Sequence, residues 1–260
     1  MSGNFRGKLD RGEPTFGVIV GLPSPAVVEY VAVAGYDFAV VDTEHGAISP
    51  ETVEHMIRAG NSFGLDIIVR VGANDRAPIQ VALDAGAAGI QVPMVESREQ
   101  AERAVRFARY APDGSRGLAG NRAAAYAPMN AGLMAAANDT VVVIAQIETV
   151  AGKLVAEEIS SVPGVDVVFV GPTDLSQSLG LPGNIDSAEV NDAIDQIASA
   201  ARSHALLGTL ARSPESAGGF LEKGFGVIEV AANSLIVRAF RDYVEPTRAI
   251  AASKETAPTA

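Results

Sequence analysis

The chain of 260 residues contains no cysteine and no tryptophan. Without cysteine there can be no disulfides, thiolate metal ligands, iron–sulfur clusters or cysteine nucleophile. Positive charge is also scarce, since 20 Lys and Arg stand against 31 Asp and Glu, a formal net charge of −11. A chain of that sign attracts neither nucleic acid nor an anionic membrane, so neither is expected as a partner. Small anions are not excluded, because they respond to local charge.

Long uninterrupted apolar runs are missing as well. No stretch of 18 apolar residues lacks a charge or a helix breaker, and the early run 17–22 is followed by Pro23 and Pro25. The sequence therefore predicts no signal peptide and no membrane span, and we expect a cytoplasmic protein. With 48% apolar and 20% charged residues, the composition is typical of a globular protein with a large core.

Eight short stretches rich in β-branched residues predict strands, with helical patterns between them. The stretches are continuously apolar, which is typical of parallel strands covered on both faces. The predicted strands are 15–20, 38–41, 67–71, 89–92, 141–147, 166–170, 206–210 and 226–230. Two clear helices are predicted over 50–63, opened by Ser49 and Pro50, and over 99–110. Alternating strands and helices indicate βαβ units and a parallel sheet.

A repeated pattern indicates how many units there are. Gly35, Gly86, Gly164 and Gly224 each precede a predicted strand, where a helix would end in a left-handed residue. Eight units of ~32 residues match a (β/α)₈ barrel. The alternative, a doubly wound open sheet, would have fewer strands and a glycine-rich first turn. We predict one barrel domain over residues 1–253, a disordered tail over 254–260, and a long functional loop with a short helix over 112–138.

In such a barrel the chemistry lies at the carboxyl ends of the strands. The polar residues there are Asp42, Glu44, His45, Arg70, Gln146, Glu148, Thr173, Asp174, Glu229 and Asn233. Glu148 and Asp174 follow neighbouring strands, and two carboxylates that close cannot both stay ionised without a cation. A hard divalent ion, Mg²⁺ or Mn²⁺, would suit these oxygen ligands. A pair of solvated loop acids is the alternative interpretation.

Arg70 and His45 are the other candidate catalytic groups. The planar guanidinium of Arg70 suits a carboxylate or enolate oxygen, and a salt bridge with a strand-end acid such as Asp42 is the alternative. Asp42 could instead orient the imidazole of His45, as a general base requires. His55 follows Glu51 by four residues on a predicted helix, which indicates a surface ion pair, and His204 has no polar companion except Ser203. None of the four lysines ends a predicted strand, so a Schiff-base mechanism is not favoured.

Six strings resemble, in the expected order, the HpcH/HpaI family of divalent-metal-dependent pyruvate aldolases, a family of the phosphoenolpyruvate/pyruvate barrel superfamily. They are FAVVDTEHG, IIVRV, LDAGAAGIQVPMVES, ARYAPDGSRGLAG, AQIET and VFVGPTDLSQSLG. The similarity runs from about residue 16 to 180, and more weakly to about 240. It implies a 4-hydroxy-2-oxoheptanedioate or related hydroxy ketoacid aldolase of aromatic compound catabolism. Such an enzyme reversibly joins pyruvate, or a related 2-oxo acid, to an aldehyde.

The resemblance also implies a role for each candidate residue. Glu148 and Asp174 would hold Mg²⁺ or Mn²⁺, with Co²⁺ as a further option, and no organic cofactor is implied. His45 would be the acid/base, and Arg70 would stabilise the enolate. The residues implied to bind the 2-oxo acid are Gln146, Gly171, Pro172, Thr173, Asp174 and Leu210.

The family resemblance further implies a homo-hexamer with a C-terminal helix exchanged between paired barrels. Asp84 resembles the acid that tunes the histidine from across a subunit boundary, so it competes with Asp42 for that role. The loop LAGNRAAAY, residues 118–126, departs from better-known members, and we expect Leu118, Arg122 and Leu210 to line the acceptor pocket.

Two other functions use the same residues. A lyase acting on a CoA thioester would share the metal and enolate chemistry, but the acidic balance offers no evident basic patch for the nucleotide. A catalytically silent barrel that binds 2-oxo acids is the second alternative, and the complete set of base, arginine and paired carboxylates argues against it.

Overall fold

Eight parallel strands form a closed barrel in which each strand pairs with its neighbours in chain order and β8 returns to β1. The computed structural model describes residues 5–255. The strands are β1 Thr15–Val20, β2 Phe38–Asp42, β3 Asp66–Arg70, β4 Gly89–Val92, β5 Val142–Ile147, β6 Val167–Val170, β7 Leu206–Leu210 and β8 Val227–Ala231. The predicted barrel and all eight predicted strands are confirmed, with ends that shift by one residue at most.

The helices lie between the strands and surround the barrel. They are α1 Phe5–Asp10, α2 Pro25–Val33, α3 Pro50–Ser62, α4 Arg76–Asp84, α5 Arg98–Ala108, α6 Ala131–Thr140, α7 Val150–Leu154, α8 Ala156–Ser160, α9 Pro172–Ser178, α10 Ala188–Ala201, α11 Pro214–Glu222 and α12 Ala232–Glu255. The long segment before β5, predicted as a loop with a short helix, contains a 3₁₀ turn at Arg122–Ala124 and then α6.

Local sequence signals account for where several elements begin and end. Gly35, Gly86, Gly164 and Gly224 all have left-handed φ values between 89° and 96°, as the repeated pattern predicts. Glycine reaches this region without the steric penalty of a Cβ, so each ends the preceding helix before a strand. At α3 the side chain of Ser49 accepts a hydrogen bond from the backbone N–H of Thr52, which confirms the predicted cap.

The core has two parts, because successive side chains of a strand point to opposite faces. A large aliphatic layer lies between the strands and the helices. A smaller cluster fills the barrel itself and includes Phe38, Ile68, Ile144, Phe169 and Val227. The barrel interior is therefore packed with side chains up to the carboxyl ends of the strands, where polar residues take over.

Helix α1 closes the amino end of the barrel. The ring of Phe5 stacks on that of Phe38 with centroids 4.2 Å apart, and the backbone N–H of Phe5 donates to Asp66 Oδ2 at 2.8 Å. Gly17 of β1 allows this packing, since a Cβ there would lie 2.3 Å from Cζ of Phe38. The floor of the barrel is thus a layer of packed aromatic side chains.

The last helix, α12, is long and leaves large apolar side chains exposed, among them Val237, Phe240, Tyr243 and Ile250. It extends to Glu255, so residues 254 and 255 of the predicted tail are helical, and residues 256–260 lie outside the described residues. Between residues 5 and 255, no helix combines the length and apolar character that crossing a membrane requires.

Candidate active site

The carboxyl ends of neighbouring strands bring most of the predicted site residues to one end of the barrel. Asp42 and Arg70 are the last residues of β2 and β3 and are paired in the sheet register. Gln146 lies in β5, and Glu148 follows that strand directly. Asp174 lies in the first turn of α9, just after β6. Parallel strands put these positions at one edge, as the sequence predicts.

Arg70 and Asp42 form a two-pronged ion pair. Nε and Nη2 of Arg70 donate to Oδ1 and Oδ2 of Asp42 at 2.9 and 2.7 Å. Nε also lies 3.4 Å from Oε2 of Glu44. The side chains of Asp42 and Arg70 are only 6% and 11% exposed. The salt bridge considered for Arg70 therefore forms, and it holds the guanidinium at the mouth of the barrel.

The buried pair changes the acidity of its members. Burial alone would raise the pKa of Asp42, but the hydrogen bonds and charge of Arg70 outweigh it and hold that pKa below its usual range. Burial raises the pKa of Glu44, even though Arg70 opposes the change. Asp42 is therefore the ionised partner of Arg70, and Glu44 adds a carboxyl group that holds its proton more tightly.

His45 lies on the loop after β2, with its side chain 62% exposed. Asp42 Oδ1 accepts hydrogen bonds from the backbone N–H groups of Glu44 and His45 at 3.1 and 3.3 Å. Asp42 thus shapes the loop that carries His45, while Arg70 engages both of its oxygens. The carboxylate near the imidazole is that of Glu44, whose Oε2 lies 3.7 Å from Nε2 of His45. Asp42 acts on the backbone at His45 and not on the ring.

Glu148 is a nearly buried carboxyl group, 3% exposed. Its Oε1 accepts a hydrogen bond from the backbone N–H of Met94 at 2.8 Å. Burial raises the pKa of Glu148 to about 7; the Met94 N–H opposes the rise, whereas Asp174 and Glu44 add to it. Met94 has a φ of 53°, in the left-handed region that a methionine rarely adopts. That conformation directs its N–H at Glu148.

The Glu148 and Asp174 pair fits a hard divalent cation. Burial is the main cause of the raised pKa of Glu148, and the negative charges of Asp174 and Glu44 add to it, although Arg70 opposes the rise. Gly171 leaves space beside this carboxylate, since a Cβ there would lie 2.5 Å from Oε2 of Glu148. Across residues 5–255, no group of three or more His, Cys, Asp or Glu side chains could hold a metal. A cation at this pair would therefore take its other ligands from water or substrate.

The other predicted substrate-binding residues lie at the ends of β5, β6 and β7. Gln146 is 1% exposed, and within the described chain its Oε1 is buried without a hydrogen-bond partner. Pro172 is buried in the first turn of α9, and Thr173 beside it is exposed. Leu210 ends β7 and packs partly into the barrel interior. Pro172 and Leu210 together line a cavity of about 200 Å³ next to α9.

Asp84 lies apart from this group within a single chain. It ends α4, where its Oδ1 accepts a hydrogen bond from Nη2 of Arg116 at 2.8 Å. It lines an external groove of about 780 Å³, together with Arg122 and Tyr126. Nη1 of Arg122 donates to the carbonyl of Ala85. The structure thus places Arg122 in this groove with Asp84.

Two residues of the site escaped the sequence analysis. Met94 positions Glu148 through a backbone N–H, and no sequence signal marks a left-handed methionine. Gln91 is fully buried in β4, and the register places it directly beside Arg70. The sequence signal for Gln91 is a single polar residue within the otherwise apolar strand β4, GIQV.

Known proteins share this architecture and sequence. Residues 15–239 match the family model described as HpcH/HpaI aldolase/citrate lyase. The chain is 36% identical over 252 residues to a hydroxypyruvate/pyruvate aldolase of Paraburkholderia phytofirmans, covering 94% of this chain and 97% of the relative. It is 35% identical over 243 residues to a 4-hydroxy-2-oxo-heptane-1,7-dioate aldolase of Escherichia coli, covering 92% of each.

A solved structure of the same family has the same fold. A crystal structure of an HpcH/HpaI aldolase/citrate lyase family protein from Burkholderia cenocepacia J2315 superposes with a TM-score of 0.89 at 35% identity, covering 95% of this chain and 100% of that one. The chain therefore belongs to the HpcH/HpaI aldolase/citrate lyase family and is a carbon–carbon lyase.

Proposed function

We propose that the protein is a divalent-metal-dependent aldolase that joins pyruvate, or a related 2-oxo acid, to an aldehyde and cleaves the resulting 4-hydroxy-2-oxo acid. The observation that carries this is the meeting of a paired arginine, a buried carboxyl group and a buried amide at one mouth of the barrel. The relatives named above as aldolases support the same reaction.

Glu148 and Asp174 would hold the cation, which we propose to be Mg²⁺ or Mn²⁺. A bound divalent cation would act as a Lewis acid on the ketone of the 2-oxo acid and acidify the protons at C3. Burial raises the pKa of Glu148 to about 7, and a bound cation would favour its ionised form. Gln146 would hold the carboxylate of the 2-oxo acid through its buried side-chain amide.

Arg70 would stabilise the negative charge of the enolate, and His45 would transfer the proton. Nη1 of Arg70 makes no hydrogen bond to the chain within residues 5–255, so it can donate to the enolate oxygen. Preorganised donors of this kind stabilise developing charge by several kcal/mol. His45 would remove a proton from C3, the enolate would attack the aldehyde carbon, and the new alkoxide would take a proton back.

Proton exchange at pyruvate tests the proposal without knowledge of the aldehyde. The ¹H NMR methyl signal of pyruvate in D₂O should fade with the protein and Mg²⁺ or Mn²⁺, and should persist when a chelator is added. A control with metal but no protein gives the background rate of methyl exchange, which is subtracted from the rate with protein. No exchange with any divalent metal would contradict the aldolase and favour a barrel that only binds 2-oxo acids.

We further propose that Asp84 orients His45 of a neighbouring subunit. Asp42 is engaged by Arg70 and backbone amides, whereas Asp84 lines an open groove on the outside of its own barrel. Co-expressing Asp84→Ala and His45→Ala chains with different tags tests this. Mixed assemblies should regain part of the activity that each variant lacks, because one site then has both residues intact. No regain would point to Glu44 as the partner of His45.

We propose a homo-hexamer in which α12 is exchanged between paired barrels. Exposed Val237, Phe240 and Tyr243 on α12 support this, as does a groove of about 460 Å³ lined by Phe16, Tyr36, Leu221 and Leu235 among others. Exposed apolar surface of this kind marks interfaces. Light scattering should give six protomers for the wild type and fewer for Phe240→Asp. Leu154→Asp, also at an exposed apolar residue, should leave the mass unchanged.

A further inference from the structure

Glu229 is a buried acid that the proposed mechanism does not use. It lies in β8 with a relative exposure of 0%. Within residues 5–255, neither of its carboxylate oxygens has a hydrogen-bond partner. An ionised carboxylate in such surroundings carries a large desolvation penalty, so the group keeps its proton. In agreement, burial raises the pKa of Glu229 to about 8.

Gln91 is the polar neighbour of Glu229 inside the barrel. Its amide lies within reach of the carboxyl group and favours the ionised form. The contact is not a completed hydrogen bond, because both terminal atoms of Gln91 are also buried without a partner in the described chain. Gln91 pairs with Arg70 in the strand register. The sheet thus puts the buried polar neighbour of Glu229 beside Arg70.

The charges that act on Glu229 come from the ion pair of Arg70 and Asp42. Arg70 favours the ionised carboxylate, and Asp42 opposes it. The strands that flank β8 place Gly17 and Leu210 opposite Glu229. Neither of these register neighbours is charged, so the charges that act on Glu229 are those of Arg70 and Asp42.

The protonation state of Glu229 changes the net charge around the guanidinium of Arg70. With Glu229 neutral, the guanidinium of Arg70 faces the ionised Asp42, and Glu44 lies at its edge. If Glu229 ionised, a further negative charge would act on the same guanidinium. The extra charge would weaken attraction for an anionic 2-oxo acid and its enolate. The neutral form leaves more of the positive charge for the substrate.

We propose that Glu229, together with Gln91, is a positioning residue whose protonated form keeps the charge of Arg70 available to an anionic substrate. The proposal rests on the proposed aldolase function and adds a residue outside the catalytic group. The enzyme should therefore lose affinity for the 2-oxo acid at alkaline pH, where Glu229 releases its proton. The change is expected in KM for the 2-oxo acid more than in kcat.

The first test is the pH dependence of KM for pyruvate in the aldol reaction. Wild-type KM should rise above about pH 8, by up to about tenfold per pH unit. In Glu229→Gln, which cannot ionise, KM should stay level over the same range. Glu222→Gln, which removes a surface carboxylate at the end of α11, should keep the wild-type profile. A rise that persists unchanged in folded Glu229→Gln would overturn the proposal.

The second test measures the protonation of Glu229 directly and needs neither metal nor enzymatic activity. Infrared spectra of the metal-free wild type should contain the C=O stretch of a buried protonated carboxylic acid, lost with a midpoint near pH 8 and absent in Glu229→Gln. Replacing the opposite charge, as in Arg70→Met, should raise that midpoint by roughly one pH unit. Gln91→Leu should raise it too. An ionised Glu229 at neutral pH, or a midpoint that Arg70→Met leaves unchanged, would overturn the coupling.

The two tests separate the proposals. If no metal supports enolisation of pyruvate, the aldolase function fails, yet the infrared midpoints still decide whether Glu229 and Arg70 are coupled. If Glu229→Gln fails to fold, the wild type and Arg70→Met still supply that comparison.

Discussion

Replacing Asp42 with asparagine tests the ion pair that holds Arg70 at the mouth of the barrel. Both side chains are nearly buried, and removal of one partner from a buried pair costs about 3–5 kcal/mol of unfolding free energy. Two features place the expected loss near the lower end. Glu44 remains 3.4 Å from Nε of Arg70, and the amide oxygen of asparagine can keep one hydrogen bond. We therefore expect a loss of about 3 kcal/mol.

Urea unfolding followed by far-UV circular dichroism measures this loss; tryptophan fluorescence is not an option in a chain without tryptophan. Protomer concentration must be constant, because assembly contributes to stability. Asp186→Asn is the matched control. Arg212 also contacts both oxygens of Asp186, at 2.8 and 2.7 Å, but the two side chains are 54% and 85% exposed. Its loss should stay below about 1 kcal/mol. Equal losses in the two variants would refute the reasoning.

The same pair predicts a pH dependence. The pKa of Asp42 is lowered in the folded state, so its contribution is fully present above its unfolded pKa of about 3.9. It is lost as the pH falls through the folded value. The stability difference between wild type and Asp42→Asn should therefore shrink in acid. A difference that stays constant well below about pH 3.9 would contradict the assignment.

Four further substitutions have clear expectations. His45→Ala should slow both C3 proton exchange at pyruvate and aldol cleavage, and wild-type exchange would exclude His45 as the base. Arg70→Lys keeps the charge but loses the planar fork, so kcat should fall by about tenfold or more, and a normal kcat would exclude a geometric role. Asp174→Asn should weaken Mn²⁺ binding measured by calorimetry and abolish turnover; unchanged affinity would remove it from the ligand set. Gly17→Ala places a Cβ 2.3 Å from the ring of Phe38, so thermal unfolding should show a loss of about 1–3 kcal/mol, and an unchanged melting temperature would contradict the tight floor.

Much of the fold follows from local sequence patterns. The strands are short, continuously apolar runs between helical patterns, and a left-handed glycine precedes six of them, including β2 at Gly35 and β8 at Gly224. These signals depend only on neighbours in the chain, which is why the strand ends agree closely. The boundaries within the long segment before β5 were less defined. The helix α6 there, AGLMAAANDT, has a weakly amphipathic pattern.

The contacts within the site needed the three-dimensional register. The sequence places two carboxylates and a histidine within the four residues 42–45 at the end of β2, so it could not decide which acid meets Arg70. Pairing of Asp42 with Arg70 across β2 and β3 decides it. Contacts such as Met94 with Glu148 join residues from different βα units. No pattern along the chain encodes that approach.

The aromatic floor has a consequence for the kinetics of the proposed reaction. Phe5 and Phe38 close the amino end of the barrel, so both substrates approach from the side where Arg70 and Glu148 lie. If Gln146 holds the 2-oxo acid deepest, as proposed, that acid must enter before an aldehyde fills the space above it. In the cleavage direction the aldehyde must leave first. Initial-rate patterns should therefore show ordered addition of the two substrates, with the enol-forming acid as the leading one.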